Sequence, residues 1–438
     1  MDYAKFPALG LSPNFKWEVF MRRILVFILL SFTLAFSQYS LGPMRGCTFM
    51  SLNGWHLLPG DTAPENYIWV FQHWKTTNPP VRTMLKNTFA AYQAANINIV
   101  RILLKPQMPG WVNHFNSEYP QPSQTSIFGV DSFIALAASY KIKTDIMFCA
   151  PDTNGYYKDL SPYPNDKKWI GNWMKQLSSN KNIGLFEIAA ETCLDHTDSV
   201  GNYLIYPNNT WPSDGQQVNN YNWVSAMWTW FHSTYSNVPA TFNILCSQGA
   251  NDGCLNTSKM TTYASYLNSH FPGVAYASME MYIYTQPSGA GSRTYYNIAY
   301  DLFSSYINIP GSKPPLFISE FGLPIGQPLL SYPNYTANDQ SEYYSGVLAA
   351  ASAFNGKVSM QFFCGSDDYP LYVGGWGGNI PNDSCYYGLF SGYDSNNKPK
   401  FRPAWSVVST YFQNNLSTII TNDFSKELLL KQNQVPLY

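Results

Sequence analysis

Two glutamates stand at the ends of otherwise apolar runs: Glu191 closes NIGLFEIAAE (182–191), and Glu320 sits near the end of FISEFG (317–322). A short apolar run without helical spacing fits a strand buried on both faces. A carboxylate at the end of such a strand leaves the core. Two carboxylates that meet across one cleft can cleave a glycosidic bond, one protonating the leaving oxygen and the other attacking or activating water. Either glutamate alone reads as an ordinary ion pair; the matched strand ends favour chemistry.

Glu187 precedes Glu191 by four residues, so the strand period of two turns it the same way but deeper. There it needs a charged or hydrogen-bonded partner. Arg101, in INIVR, is the candidate, either for Glu187 or for holding Glu320 ionised.

These residues must be positioned by a repeating scaffold. Short β-rich runs, each followed by a longer segment with helical spacing, recur as GCTFMSL, INIVRILL, KTDIMFCA, GLFEIAA, TFNILCS, VAYASMEMYIY, PLFISEFG and VSMQFFCG. Helices are expected over TMLKNTFAAYQAA (83–95), over DSFIALAASY with Asp131 as N-cap, over 216–235 and over 339–354. Alternation of doubly buried strands with helices predicts a parallel sheet, and eight units predict its closure. The fold class is α/β, a (β/α)8 TIM barrel with long loops at the C-terminal face. Such a barrel takes about 250 residues. The excess among the 438 residues is assigned to loops at 53–80, 105–127, 192–216 and 365–400.

Ahead of the barrel, MRRILVFILLSFTLAFSQYS pairs two arginines with an apolar run and small residues before Gln38. It has the form of a secretory signal, shorter than a membrane-spanning helix. The expected organisation is residues 1–37 as an N-terminal extension plus signal, with Met21 as the true start, residues 38–414 as the catalytic domain, and residues 415–438 as a tail. Secretion to the extracellular space follows, with no membrane span after signal removal. Sequons at Asn208, Asn256, Asn334, Asn382 and Asn415 are glycan acceptors if the host is a eukaryote. The seven cysteines are an odd number, and Cys246–Cys254 and Cys364–Cys385 are the pairs that would close short loops.

Charged residues are 12% of the chain, against roughly 25% in average domains, aromatics are 17%, and the net charge is -1. A nucleic-acid partner is disfavoured, whereas a surface of Tyr, Asn, Ser, Thr and Gln suits a neutral polyhydroxylated ligand. Trp55, Trp111 and Trp376 fall in the long loops, where indole faces can stack on sugar rings or simply anchor the loops. No Gly-x-Ser-x-Gly elbow, phosphate loop, His-Glu-x-x-His helix or zinc spacing occurs. No metal or cofactor is called for.

The same residues resemble glycoside hydrolase clan A, most closely family 5, the cellulase and mannanase family, over about Met44 to Gln413. MRGCTFMSLNGW is similar to that family's first strand, NINIVRILL to its second, FEIAAE to the run that ends in the acid/base, and LFISEFG to the nucleophile strand. CYYGLFSGYDSNNKPKFRPAW resembles its closing segment. The resemblance implies Glu191 as acid/base, Glu320 as nucleophile and Arg101 as the arginine beside it. It also implies that Tyr284, in MYIYTQP, hydrogen-bonds the nucleophile. Departures are Ala190 where the family has Asn, Tyr282 where it has His, a third strand ending FCAPD without the usual His, and Phe363 or a neighbour in place of the eighth-strand Trp.

The expected function is a secreted, monomeric, retaining β-glycosidase acting on a neutral β-linked poly- or oligosaccharide. Glu191 and Glu320 are catalytic, and Arg101, Tyr282, Tyr284, Trp55 and Trp376 line the substrate site. The alternatives are a carbohydrate-binding protein on a catalytically weakened scaffold, and a transglycosylase. Binding without product would mark the first. Cellulose, mannan, xyloglucan and β-1,3-glucan all fit as substrates.

Overall fold

A computed structural model of the chain describes residues 43–49, 67–72, 74–75, 79–104, 118–148, 163–189, 192–197, 203–207, 216–247, 257–283, 287–326, 333–363, 365 and 387–414. All of them lie in one compact unit, Pro43–Tyr438.

The strands, in chain order, are β1 (Arg45–Thr48), β2 (Ile99–Leu103), β3 (Lys143–Met147), β4 (Ile183–Glu187), β5 (Thr192–Thr197), β6 (Tyr203–Pro207), β7 (Ala240–Thr241), β8 (Asn243–Ser247), β9 (Ala277–Tyr282), β10 (Leu316–Phe321), β11 (Val358–Phe362), β12 (Phe390–Tyr393) and β13 (Pro399–Phe401). Parallel pairing runs from β1 through β2, β3 and β4 to β7, and from β8 through β9, β10 and β11 back to β1. Phe242 alone separates β7 from β8, so the two fill one barrel position. Eight positions therefore close a (β/α)8 barrel, as the strand-helix cadence predicts.

Helices cover the outside: α1 (Tyr67–Gln72), α2 (Pro79–Ala94), α3 (Gln124–Ser139), α4 (Pro164–Leu177), α5 (Gln216–Thr234), α6 (Thr257–His270), α7 (Ser292–Ile307) and α8 (Ala337–Ser352), then helical residues 403–414. The strands are apolar toward these helices and polar toward the barrel axis. Val100, Ile102, Ile146, Phe186, Met279, Met281, Met360 and Phe362 join the hydrophobic core. The residues that alternate with them, Arg101, Asp145, Glu187, Glu280 and Gln361, are buried too.

Two expectations are corrected. The helix assigned to Asp131 begins seven residues earlier, at Gln124, where the Ser123 hydroxyl accepts from Ser126 N–H at 3.1 Å. Asp131 lies inside the helix and accepts from Asn180 Nδ2 at 3.2 Å. A Ser cap followed by apolar residues at helical spacing outweighs an Asp within the run. The segments 192–216 and 365–400 are not wholly loop either, since β5 with β6 and β12 with β13 form antiparallel hairpins.

Cys47 is a buried free thiol whose pKa is raised by burial, partly offset by a contact with Tyr92. Asn334 is exposed. The signal segment, the tail 415–438, the other four sequons, Trp55, Trp111, Trp376, Tyr284, Ala190, Glu191 and the side chains of both expected cysteine pairs lie outside the described residues. Among the described residues no helix is long and apolar enough to cross a membrane.

Candidate active site

Arg101 occupies the middle of β2 and is completely buried. Burial by itself lowers the pKa of its guanidinium, but Glu187, Glu320, Glu280 and Asp145 raise it further, and the net shift is upward. The cation is therefore permanent, and three strands deliver carboxylates to it. Its Nη1 donates to Glu320 Oε1 at 2.6 Å. Its Nε lies 2.9 Å from Glu187 Oε1, and its Nη2 donates to Glu187 Oε2 at 3.1 Å. Nη2 also lies 3.6 Å from Glu280 Oε1.

Arg101 thus meets both of the partners that the sequence offered it, and one it did not. The register explains the third: Glu280 pairs with Glu320 across β9 and β10. A lone Glu in ASMEMY gave only the signal of a polar residue at an inward position of a buried strand. Asp145, opposite Arg101 in the β2–β3 register, gave the same signal in KTDIM.

Glu320 is held from a second side. Its Oε2 accepts from the Tyr282 hydroxyl at 2.5 Å, so both carboxylate oxygens receive strong donors. Donors aimed at both oxygens stabilise the ionised form. The tyrosine making this bond is Tyr282, the last residue of β9. With Glu280 level with Glu320, residue 282 is two positions further toward the barrel mouth on the same face.

Of the four carboxyls, Asp145, Glu187 and Glu280 are 0% exposed, while Glu320 is 6% exposed. Tyr282, which holds it, packs with Phe363 and Tyr387, and the three rings meet edge to face with centroids 5.3–6.4 Å apart. Phe363 therefore sits beside the tyrosine at the end of the eighth barrel strand. Gly322 keeps this corner open, because a Cβ there would lie 3.2 Å from Tyr387 Cδ1.

Deeper in, Asn243 Nδ2 donates to Glu187 Oε2 at 2.8 Å, and Gln361 Nε2 donates to Asp145 Oδ2 at 3.3 Å and to the Ser319 carbonyl at 3.1 Å. Gly46 is small because Gln361 lies against it: a Cβ would fall 2.9 Å from Gln361 Oε1. Among the described residues no group of His, Cys, Asp and Glu is arranged to hold a metal ion.

The fold and site together define a (β/α)8 barrel that presents one carboxylate at its mouth on a buried arginine and a tyrosine. The chain is similar in structure to the β-glycosidase BGL167, with a TM-score of 0.52 and 11% identity over 86% of this chain and 97% of that one. It is also similar to a glycoside hydrolase family 5 mannosidase from Rhizomucor miehei, solved with mannosyl-fructose, at TM-score 0.49 and 12% identity over 86% and 94% of the two chains. A family 1 β-glucosidase from Thermotoga maritima gives TM-score 0.47 and 11% identity over 86% and 98%. At such identities the likeness to BGL167 carries the barrel fold and nothing finer. The sequence matches no protein-family model and no curated protein.

Proposed function

We propose that this protein is a retaining β-glycosidase with Glu320 as nucleophile and Glu191 as acid/base. The observation that carries the proposal is Glu320 itself, the one member of its carboxyl cluster with access to solvent, held on both oxygens by Arg101 and Tyr282. A carboxylate kept charged at a barrel mouth is suited to attack on an anomeric carbon.

In the first step a Glu320 oxygen bonds to the anomeric carbon while the glycosidic C–O bond breaks and the proton of Glu191 goes to the leaving oxygen. In the second, Glu191 takes a proton from water, the water oxygen bonds to the same carbon, and the Glu320 ester bond breaks to restore the carboxylate. Retention needs the two carboxyls roughly 5–5.5 Å apart. Support for Glu191 as the second carboxyl comes from its neighbours in the chain. The Ala189 carbonyl accepts from Asn243 N–H at 3.1 Å, and Thr192 pairs with Ile244, so both flanks register on the fifth barrel position.

Arg101 and Tyr282 act through Glu320, and the aromatic corner of Tyr282, Phe363 and Tyr387 would border a sugar bound there. The signal-like segment and the exposed Asn334 sequon support a secreted glycoprotein. A neutral β-linked polysaccharide or oligosaccharide is the substrate class that suits an aromatic, weakly charged chain.

Ala190 favours a second reading, since a clan member would have an Asn there to bond the sugar 2-hydroxyl. Loss of one such donor costs on the order of 3 kcal/mol of transition-state stabilisation, which slows a glycosidase without removing its carboxylates. A carbohydrate-binding protein would show binding alone, and a transglycosylase would pass the sugar to another sugar hydroxyl. A panel of β-glucans, mannans and xyloglucan, read by reducing sugar and by calorimetry, separates these. We expect product from the wild type and none from Glu320→Ala; full activity in that variant removes the nucleophile assignment.

A further inference from the structure

The hydroxyl that Tyr282 places on Glu320 Oε2 is only as well aimed as the ring that carries it. A tyrosine side chain turns about two bonds, so its ring must be locked by its neighbours. Two rings supply the lock. Phe363 meets Tyr282 at 77° with centroids 6.4 Å apart, and Tyr387 meets it at 78° with centroids 6.1 Å apart. Phe363 and Tyr387 also meet each other, at 85° and 5.3 Å, which closes a triangle of edge-to-face contacts.

The two supports are held differently. Phe363 directly follows β11, and its N–H donates to the Phe321 carbonyl at 2.9 Å, so the barrel ladder itself fixes it. Tyr387 lies between β11 and β12 in the chain and belongs to no strand, yet it is only 4% exposed. Its seat is made by two residues that the catalytic assignment leaves unused. The first is Gln340 of α8, completely buried, whose Nε2 donates to the Leu323 carbonyl at 2.9 Å and, more distantly, to the Tyr387 carbonyl at 3.5 Å. One amide thus joins the stretch after the nucleophile strand to the stretch that carries Tyr387. The second is Gly322, two residues beyond Glu320, where a Cβ would lie 3.2 Å from Tyr387 Cδ1 and 3.7 Å from Phe363 Cβ.

We propose that Tyr387 is a positioning residue: seated on Gly322 and tied by Gln340, its ring holds Tyr282 so that the phenol stays on Glu320. It acts on the carboxylate through another side chain. A misplacement of about 1 Å can cost on the order of 100-fold in rate, so a ring that fixes the donor matters as the donor does. Only the effect on rate rests on the glycosidase reading; the hold on the Glu320 carboxylate stands on the contacts alone.

Infrared spectra of the full chain test that hold without any substrate. For each protein, subtraction of its own Glu320→Gln counterpart at pH 7 isolates the Glu320 carboxylate stretch, whose frequency reports the hydrogen bonds it accepts. Tyr282→Phe removes the phenol and sets the full shift. Tyr387→Ala should move the band in the same direction, and Tyr387→Phe, which keeps the ring, should restore most of the wild-type frequency. A Tyr387→Ala band at the wild-type position, or a Tyr387→Phe band that stays with Ala, overturns the proposal. If Tyr387→Ala does not fold, Gly322→Ala takes its place, because the added methyl displaces the Tyr387 ring by a few tenths of an ångström. An unmoved band in that variant overturns the proposal equally.

Steady-state kinetics then ask whether the hold serves catalysis. Tyr387→Ala should lower kcat by about tenfold with KM little changed, as for the loosening of a hydrogen bond to a charged group. In the Tyr282→Phe background the same substitution should cost less than about threefold, because the residue it acts through is already silenced. Equal losses in both backgrounds, or a loss carried by KM alone, would make Tyr387 an independent contact and overturn the proposal. A wild type that cleaves no β-glycoside removes the nucleophile reading, and the infrared bands still decide whether Tyr387 holds Tyr282 on Glu320.

Discussion

The Tyr282 hydroxyl donates to Glu320 Oε2 at 2.5 Å, on the opposite oxygen from the one that Arg101 holds. The bond joins the end of β9 to the end of β10, so it fixes the rotamer of the carboxylate as well as its charge. Replacing Tyr282 with Phe removes one donor and nothing else of that shape. A hydrogen bond to a charged group contributes about 1.5–3 kcal/mol. The glycosidase reading then predicts a fall in kcat of roughly 10- to 100-fold, with the melting temperature lower by only a few degrees. Steady-state kinetics beside thermal denaturation separate this from general damage.

Arg101→Met should be far more damaging to the fold. Removing one partner of a buried ion pair costs about 3–5 kcal/mol, because the charges left behind are uncompensated. Here the guanidinium serves Glu187, Glu280 and Glu320 together. Urea denaturation at pH 7 should show the loss, and at pH 4.5 the deficit should shrink as the stranded carboxyls take up protons. A deficit that does not vary with pH would mean that the guanidinium acts through packing alone.

Asp339 ties the N-terminus of α8 to the segment after β9. It accepts from Thr336 N–H at 2.8 Å and from the Thr336 hydroxyl at 2.6 Å, and it also accepts from the Ser288 hydroxyl at 2.9 Å and from Gly289 N–H. Burial alone would raise its pKa, but these donors together hold it below the usual value. Its contribution is therefore full above the unfolded value near 3.9 and is lost as pH falls through the lower folded value. Asp339→Ala should cost about 1–2 kcal/mol at pH 6, and the difference from wild type should fade in strong acid. Melting curves from pH 2 to pH 7 check both the size and the direction.

The barrel was legible in the sequence because doubly buried strands leave continuous apolar runs, and a charge in such a run has few places to go. That logic tied Glu187 to Arg101 before any coordinates. It did not reach Asp145, Glu280, Asn243 or Gln361, since a single polar residue in a strand does not announce which neighbour it meets; the register does. By the strand period of two Tyr282 and Tyr284 would share a face, so periodicity alone did not single out the bond that Tyr282 makes to Glu320. The hairpin of β5 and β6 was missed because its strands are short and flanked by turn-forming residues, which makes their alternation hard to separate from loop. Ser123 carries a cap signal as good as that of Asp131, but at the end of a stretch rich in Pro and Gln its sequence reads as loop.

Covalent capture of the nucleophile tests the central claim most directly. Incubating the full chain with 2-deoxy-2-fluoro-β-glucosyl and β-mannosyl fluorides, followed by peptide mass mapping, should place one glycosyl adduct on Glu320. The adduct should be missing from Glu320→Gln. An adduct on another residue of a protein that hydrolyses β-glycosides would contradict the account.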